Sequence, residues 1–239
     1  MTPDAAGGRG VLRECPAEDG DNLGRAAASK VPRELIYVPI AHSAADMGSL
    51  AGELQRAWEQ RADAAWERHQ AEVAEYWRRV RDELLGHLQR KLGAPCASLE
   101  RVRIYQDGLP VGGAKARQIV EEVAARGSDN YLLVKTLLER GAHIEAAEQA
   151  HLLKEEYELV RRGLAAHFSV EAGHLQEQYR ERAAALLNQR DEFIARAIAR
   201  TLGPDEIGVL FIGALHHILP RLPCDISVTF IPTPPAEQA

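Results

Sequence analysis

The sequence predicts an α/β protein, a mainly parallel sheet flanked by helices, with two long helical stretches forming an antiparallel arm. Three observations lead there. Short runs such as "LIYVPI" and "IGVLFI" carry apolar residues on both alternating sets, the pattern of strands covered on both faces. Long segments with apolar residues at steps of three and four separate those runs, as in a sheet whose parallel strands are joined by helices. The 239 residues, 46% of them hydrophobic, suffice for one good-sized core.

The elements follow in order. Residues 1–32 are rich in Gly, Ala, Asp and Glu and lack hydrophobic periodicity, which predicts a disordered tail; "PTPPAEQA" predicts a second short tail over 232–239. Between them, 33–231 reads as a single domain. The first strand is Leu35–Ile40, followed closely by His42. From Ser43 to Leu92 the period is helical, through Met47, Leu50, Leu54, Trp58 and on to Leu84, Leu88 and Leu92. Ser43 is a plausible N-cap, and Gly93 with Pro95 a plausible stop. Unbroken, such a helix would reach ~75 Å, more than the height of a sheet in a chain this size. It must break, near Gly52 or Gly86, or project as an arm.

"RVRIYQDGLPVGG" predicts a second strand, Val102–Tyr105, and a turn. Two helices follow; Gly127 ends the first, and Ser128 or Asp129 caps the second. Glu145 to Leu202 reads as another long helical stretch, with Gly163 and Gly173 as candidate breaks. The two long stretches, about 44–92 and 145–202, are expected to pack antiparallel. The Trp58–Tyr76–Leu84 stripe would then lie on the Leu153–Leu164–Tyr179 stripe. Ordinary helix packing explains these stripes without a ligand groove. The chain closes with a strand Ile207–Ile212, the segment "GALHHILP", and a last strand "DISVTFI".

Charge and cysteines narrow the function classes. The net charge is −6 and the pI about 5.9, where a phosphate-backbone binder would carry a basic surplus, so nucleic acid is not expected as a partner. The arginines alternate with glutamates on helical faces. Three scattered cysteines without a C-x-x-C predict reduced thiols. No apolar run has membrane-span length and no signal-peptide pattern opens the sequence, so a soluble, cytoplasmic protein is expected, with no membrane contact.

Candidate chemistry lies at the strand ends. His42, Asp107 and His216 each follow a predicted strand. If the strands are parallel, all three sit at one carboxyl edge, where ligands bind in open α/β sheets. Two imidazoles and a carboxylate can hold a divalent metal or activate a water. Asp46, one helical turn past His42, and Asp191, beside Arg190 on the late helix, can join the set. Each also has a plainer reading. "QDG" is a common turn, Asp46 can serve a helix N-terminus, and a histidine after a strand is often just a satisfied polar residue. His217, next to His216, points elsewhere and reads as structural.

The same positions carry a resemblance. "PIAH" after the first strand, "NQRDEFIARAIA" on a late helix and "LFIGALHHI" after it resemble the erythromycin esterase, ChaN, TraB and TIKI superfamily. Its pattern is a G-x-x-H-like element, an acidic residue after the second strand, a helical E-R-[ND] and a second G-x-x-H. Gly213–His216 matches the last element, and Arg190 and Asp191 match R-[ND]. Pro39 stands at the usual first glycine, Gln189 at the glutamate, and Gln106-Asp107 at the acidic position. The resemblance implies an α/β core with helical insertions and a histidine-centred site; its members include hydrolases, some metal-dependent, and a haem-binding protein.

The expectation is therefore a hydrolase of a small-molecule or peptide substrate. His42 and His216 would bind a divalent metal ion or activate water, with Asp107, Asp46 and Asp191 completing the shell. Arg190 would steady developing negative charge. Two other classes remain open: a non-catalytic binding or regulatory protein with a degenerate site, whose helical arm makes a homodimer or grips a partner, and a haem or small-ligand binder.

Overall fold

The computed structural model describes residues 33–42, 63–93, 98–166 and 173–232. Both predicted tails, the Ser43 cap, Gly52, Trp58 and Asp46 lie outside the described residues, apart from Pro232. The elements run β1 (Arg33–Ile40), α1 (Asp63–Leu92), β2 (Val102–Gln106), α2 (Gly113–Ala125), α3 (Asp129–Glu139), β3 (His143–Glu145), α4 (Ala150–Ala166), α5 (Gly173–Thr201), β4 (Ile207–Gly213), a 3-10 turn (Leu219–Arg221) and β5 (Ile226–Phe230).

The strands form one five-stranded sheet in the order β3-β2-β4-β1-β5, and every pairing is parallel. Both alternating sets are apolar because each faces a core. Ile36, Val38 and Ile40 of β1, with Val209 and Phe211 of β4, pack under α1, α2 and α3. Leu35 and Tyr37, with Leu210 and Ile212, pack under α5 and the 3-10 segment. The chain moves β1 to β2 to β3 on the first face and returns to β4 and β5 on the second. Right-handed crossovers that travel in opposite directions along a sheet must lie on opposite faces, so the arrangement is self-consistent.

Capping follows the expected chemistry at two points. Gly127 takes a positive φ of 91° after α2, and the Ser128 side chain accepts the Tyr131 N–H at the start of α3. Two expectations are corrected. Glu145 does not begin a helix but ends a third strand, β3, which pairs with β2 from His143 to Glu145. The described parts of the two long stretches also find different partners. Val73, Trp77, Val80, Leu84 and Leu88 of α1 pack on the sheet, while α4 pairs with α5, as in the Arg182–Glu155 ion pair. A parallel sheet has two wide apolar faces, and covering them removes more apolar surface from water than a two-helix arm would. Gly86 and Gly163 interrupt neither α1 nor α4. Among the described residues no helix is long and apolar enough to cross a membrane.

This topology positions the site. β2 and β4 are hydrogen-bonded neighbours, yet the chain leaves β2 toward one face and β4 toward the other. Their diverging connections open a crevice at the carboxyl edge, the switch point where open α/β sheets bind ligands.

Candidate metal centre

Asp107 is the first residue past β2, and Gly213 is the last of β4. The two ends are tied together: the Asp107 N–H donates to the Phe211 carbonyl, and the Gly213 N–H donates to Asp107 Oδ2 at 2.9 Å. A Cβ at position 213 would stand 3.1 Å from that same oxygen, so the glycine leaves room for the carboxylate. Gly108, with φ of 77°, lets the chain turn away at once. The turn after Gly213 then brings His216 back over the strand end, its N–H bonding to the Gly213 carbonyl at 3.2 Å.

His216 is buried and held from both sides. Its Nδ1 lies 2.6 Å from Asp191 Oδ1, and its Nε2 faces Asp107 Oδ2 at 3.4 Å. Asp191, itself buried on α5, uses its other oxygen to accept the His217 N–H at 2.8 Å. This answers why two histidines are adjacent. His217 contributes its backbone N–H to the carboxylate that grips His216, and its own side chain is exposed. Burial would lower the His216 pKa, but the bonds to Asp107 and Asp191 outweigh it and hold it up at about 9.

Arg190, one residue before Asp191, points its guanidinium into the same cluster. It is buried and donates to Asp107, to Glu148 at 2.6 Å and to Glu156 at 2.6 and 2.7 Å. A guanidinium taken out of water needs such partners, and three carboxylates supply them. The two innermost carboxylates respond in opposite ways. Burial pushes Asp107 up, but the His216 bond, the His216 and Arg190 charges and the Gly213 N–H bring it well below the usual range. For Glu148 burial prevails over Arg190, and the Asp107 charge adds to it, so its carboxyl is raised.

Asp107, Glu148 and His216 each offer a ligand atom, and these atoms lie within 4.8 Å of one another. First-row ions hold such donors at ~2.0–2.2 Å, hence up to ~4.4 Å apart, so a small inward movement makes a shell of two oxygens and one nitrogen. The donor chemistry fits. With Nδ1 turned to Asp191, Nε2 could take an ion in place of the proton it shares with Asp107, which would give the carboxylate–histidine–metal arrangement of known sites. Asp107 and His216, though not the fully buried Glu148, line a cavity of about 540 Å³ together with Ile40, Gln106, Asn130, Tyr131, Leu153 and Leu215 among others, a volume suited to a small ligand.

The candidates named from sequence fall as follows. Asp107 and His216 converge, and Asp191 and Arg190 meet them, Asp191 through His216 and Arg190 through Asp107. His42 follows β1, is exposed and lines the same cavity, but is not in the close group of donor atoms. Asp46 lies outside the described residues. Glu148 and Glu156 were not anticipated. Glu148 sits just past β3, so it obeys the same strand-end rule that singled out Asp107. The signal was Ile144 between a glycine turn and "EAAE", three residues too few to read as a strand. Comparison with known proteins found no matching family model, curated protein or solved structure.

Proposed function

We propose that the chain is a hydrolase acting on an ester or amide bond of a small-molecule or peptide substrate, with a divalent metal ion held by Asp107, Glu148 and His216. The observation that carries this reading is the posture of His216. A buried carboxylate fixes its Nδ1, its Nε2 faces Asp107 at the wall of a cavity, and Glu148 is a third donor in the same close group. When bound, such an ion acidifies a water and polarises a carbonyl oxygen.

The chain's own residues do the rest. Asp191 aims the imidazole and, once an ion has displaced the Nε2 proton, would keep the remaining proton on Nδ1. Arg190 is saturated by Asp107, Glu148 and Glu156, so its role is to fix those carboxylates and offset their mutual repulsion. The cavity walls, Ile40, Leu153 and Leu215, exclude water from one side of a bound substrate. The resemblance to the erythromycin esterase, ChaN, TraB and TIKI superfamily supports the same reading, because it rests on Arg190, Asp191 and Gly213–His216.

One observation favours a second reading, a binding protein with a degenerate site. Arg190 already bridges Asp107 and Glu148, so part of the carboxylates' charge is offset without an ion. Loading the protein with Zn²⁺ or Mn²⁺ and measuring retained metal by mass spectrometry separates the two. The hydrolase reading expects about one ion per chain, lost in Asp107→Asn and His216→Ala, and metal-dependent cleavage of chromogenic esters or amides. No retained metal together with no cleavage supports the binding reading instead.

A further inference from the structure

The donor group already holds a cation of the chain's own. Arg190 lines the cavity and meets both oxygens of Glu148, whose side chain is fully buried and does not line it. Its Nη2 donates to Glu148 Oε1 at 2.6 Å, and its Nε lies 3.2 Å from each oxygen. The same Nη2 donates to Asp107 Oδ1. One edge of a guanidinium therefore occupies lone pairs on two of the three residues that would receive an ion.

The other end of Arg190 is bound differently. Nη1 donates to both oxygens of Glu156, at 2.6 and 2.7 Å. Glu156 lines the cavity, its side chain is 35% exposed, and it is outside the close donor group. A guanidinium and a divalent ion repel each other and contest the same lone pairs. For Asp107 and Glu148 to hold an ion, Arg190 must give up bonds to them. The backbone at 190 has little room to retreat, because Asp191 beside it is bonded to His216 and to the His217 N–H. The side chain must shift instead. A buried guanidinium stripped of its carboxylates is strongly destabilising, so it needs one that the ion does not claim. Glu156 is that carboxylate and is already in contact.

We infer that Glu156 is a positioning residue for the metal centre: it takes over Arg190 when an ion enters and thereby frees Asp107 and Glu148. The inference rests on the metal reading above. Without the Glu156 charge, Arg190 stays on the two inner carboxylates and opposes the ion. The negative charge of Glu156 also attracts an ion directly, but that attraction does not pass through Arg190. A double-mutant cycle separates the two effects.

The test is the Zn²⁺ affinity of the full chain, measured by competition with a chromogenic chelator. Asp107→Asn protein gives the Zn²⁺ taken up elsewhere. Glu156→Gln should bind about tenfold more weakly than the unaltered chain, the lower end of the range for partners behind metal ligands. Glu156→Asp should recover most of the loss. Arg190→Gln should bind at least as tightly as the unaltered chain, because the ion then offsets the carboxylate repulsion itself. In the Arg190→Gln background, adding Glu156→Gln should change the affinity less than about twofold. A second readout does not need Arg190→Gln to fold: the Arg190 Nε–Hε signal in ¹⁵N–¹H spectra, assigned by its loss in Arg190→Lys, should move when Zn²⁺ saturates the unaltered chain. Full affinity in Glu156→Gln, an equal loss in both backgrounds, or an Arg190 signal that stays in place under saturating Zn²⁺ would each overturn the inference and leave the metal reading standing. If neither the unaltered chain nor Arg190→Gln takes up more Zn²⁺ than Asp107→Asn, the metal reading falls and this inference falls with it.

Discussion

Asp191 decides what His216 can do. A strand-end imidazole with free rotation would present either nitrogen to the cavity. Here Asp191 Oδ1 binds Nδ1 at 2.6 Å, and Asp191 is locked in turn by the His217 N–H. Asp191→Asn keeps the size but removes the charge and can present its NH₂ to the ring. We expect metal affinity to fall about 10–100-fold with the fold intact, as for other partners behind a ligand histidine. Competition against a chelator measures it. His217→Ala should leave affinity unchanged, since only the backbone of residue 217 is used; a loss there equal to that of Asp191→Asn would show that the imidazole pair, not Asp191, holds the site. At this scale Asp107, Arg190, Asp191 and His216 were legible because each follows a recognisable strand or sits in a motif-like run. Glu148 was not, because its strand has three residues and periodicity needs more than that to register.

Elements here are joined by ion pairs whose worth varies with exposure. The junction of β1 and α1 is the clearest case. Glu34 on the strand bonds His87 at 2.8 Å and Lys91 at 2.9 Å on the last turns of the helix. Burial alone would raise the Glu34 pKa, but the hydrogen bonds and charges of His87 and Lys91 outweigh it and lower it to about 2 from 4.5. A carboxyl depressed in the folded state binds its proton more readily when unfolded. Its contribution is therefore fully present above about pH 4.5 and is lost as pH falls toward 2. We expect Glu34→Gln to cost on the order of 2 kcal/mol at pH 7, allowing for screening at the exposed Lys91, and much less near pH 2. Urea unfolding of both proteins across that range tests it, and a gap that does not change with pH would reject the ion-pair account. α1 itself shows why breaks were misplaced. Gly86 was a candidate break, yet the helix continues through it, because Leu84 and Leu88 on either side are fully buried and their packing exceeds the ~1 kcal/mol penalty of a helical glycine.

Across the whole molecule, the parallel sheet accounts for both the legible and the hidden parts. Runs such as Leu35–Ile40 and Ile207–Ile212 announced a sheet covered on both sides. The order β3-β2-β4-β1-β5 was not readable, because the same runs allow several orders of parallel strands and only packing selects one. The arm was expected on the premise that two apolar helical stripes must bury each other; the sheet offers each of them a wider face. The observed order makes a sharp claim about stability. β4 is hydrogen-bonded on both sides, to β1 from Ile207 to Gly213 and to β2 from Ile207 to Phe211, and Val209 to Ile212 are at most 1% exposed. Among the described strands β3 pairs with β2 alone, through three residues, and begins at an exposed His143. Local openings should therefore reach β3 at far lower free energy than β4, which should exchange only through global unfolding. Amide hydrogen exchange followed by mass spectrometry should show the 207–213 amides slowest in the chain and those of 143–145 faster by orders of magnitude, with β5, bonded among the described strands only to β1, also faster than β4. The proposed metal centre should share this gradient: Asp107 and Gly213 lie at the ends of the slow pair of strands, while Glu148 follows the fast one. Adding Zn²⁺ should then slow exchange at 143–148 more than at 207–213, because a bound ion would join the loose edge to the rigid centre. Protection of β3 equal to that of β4 without metal would mean that another strand covers that edge, and the five-strand order would have to be abandoned.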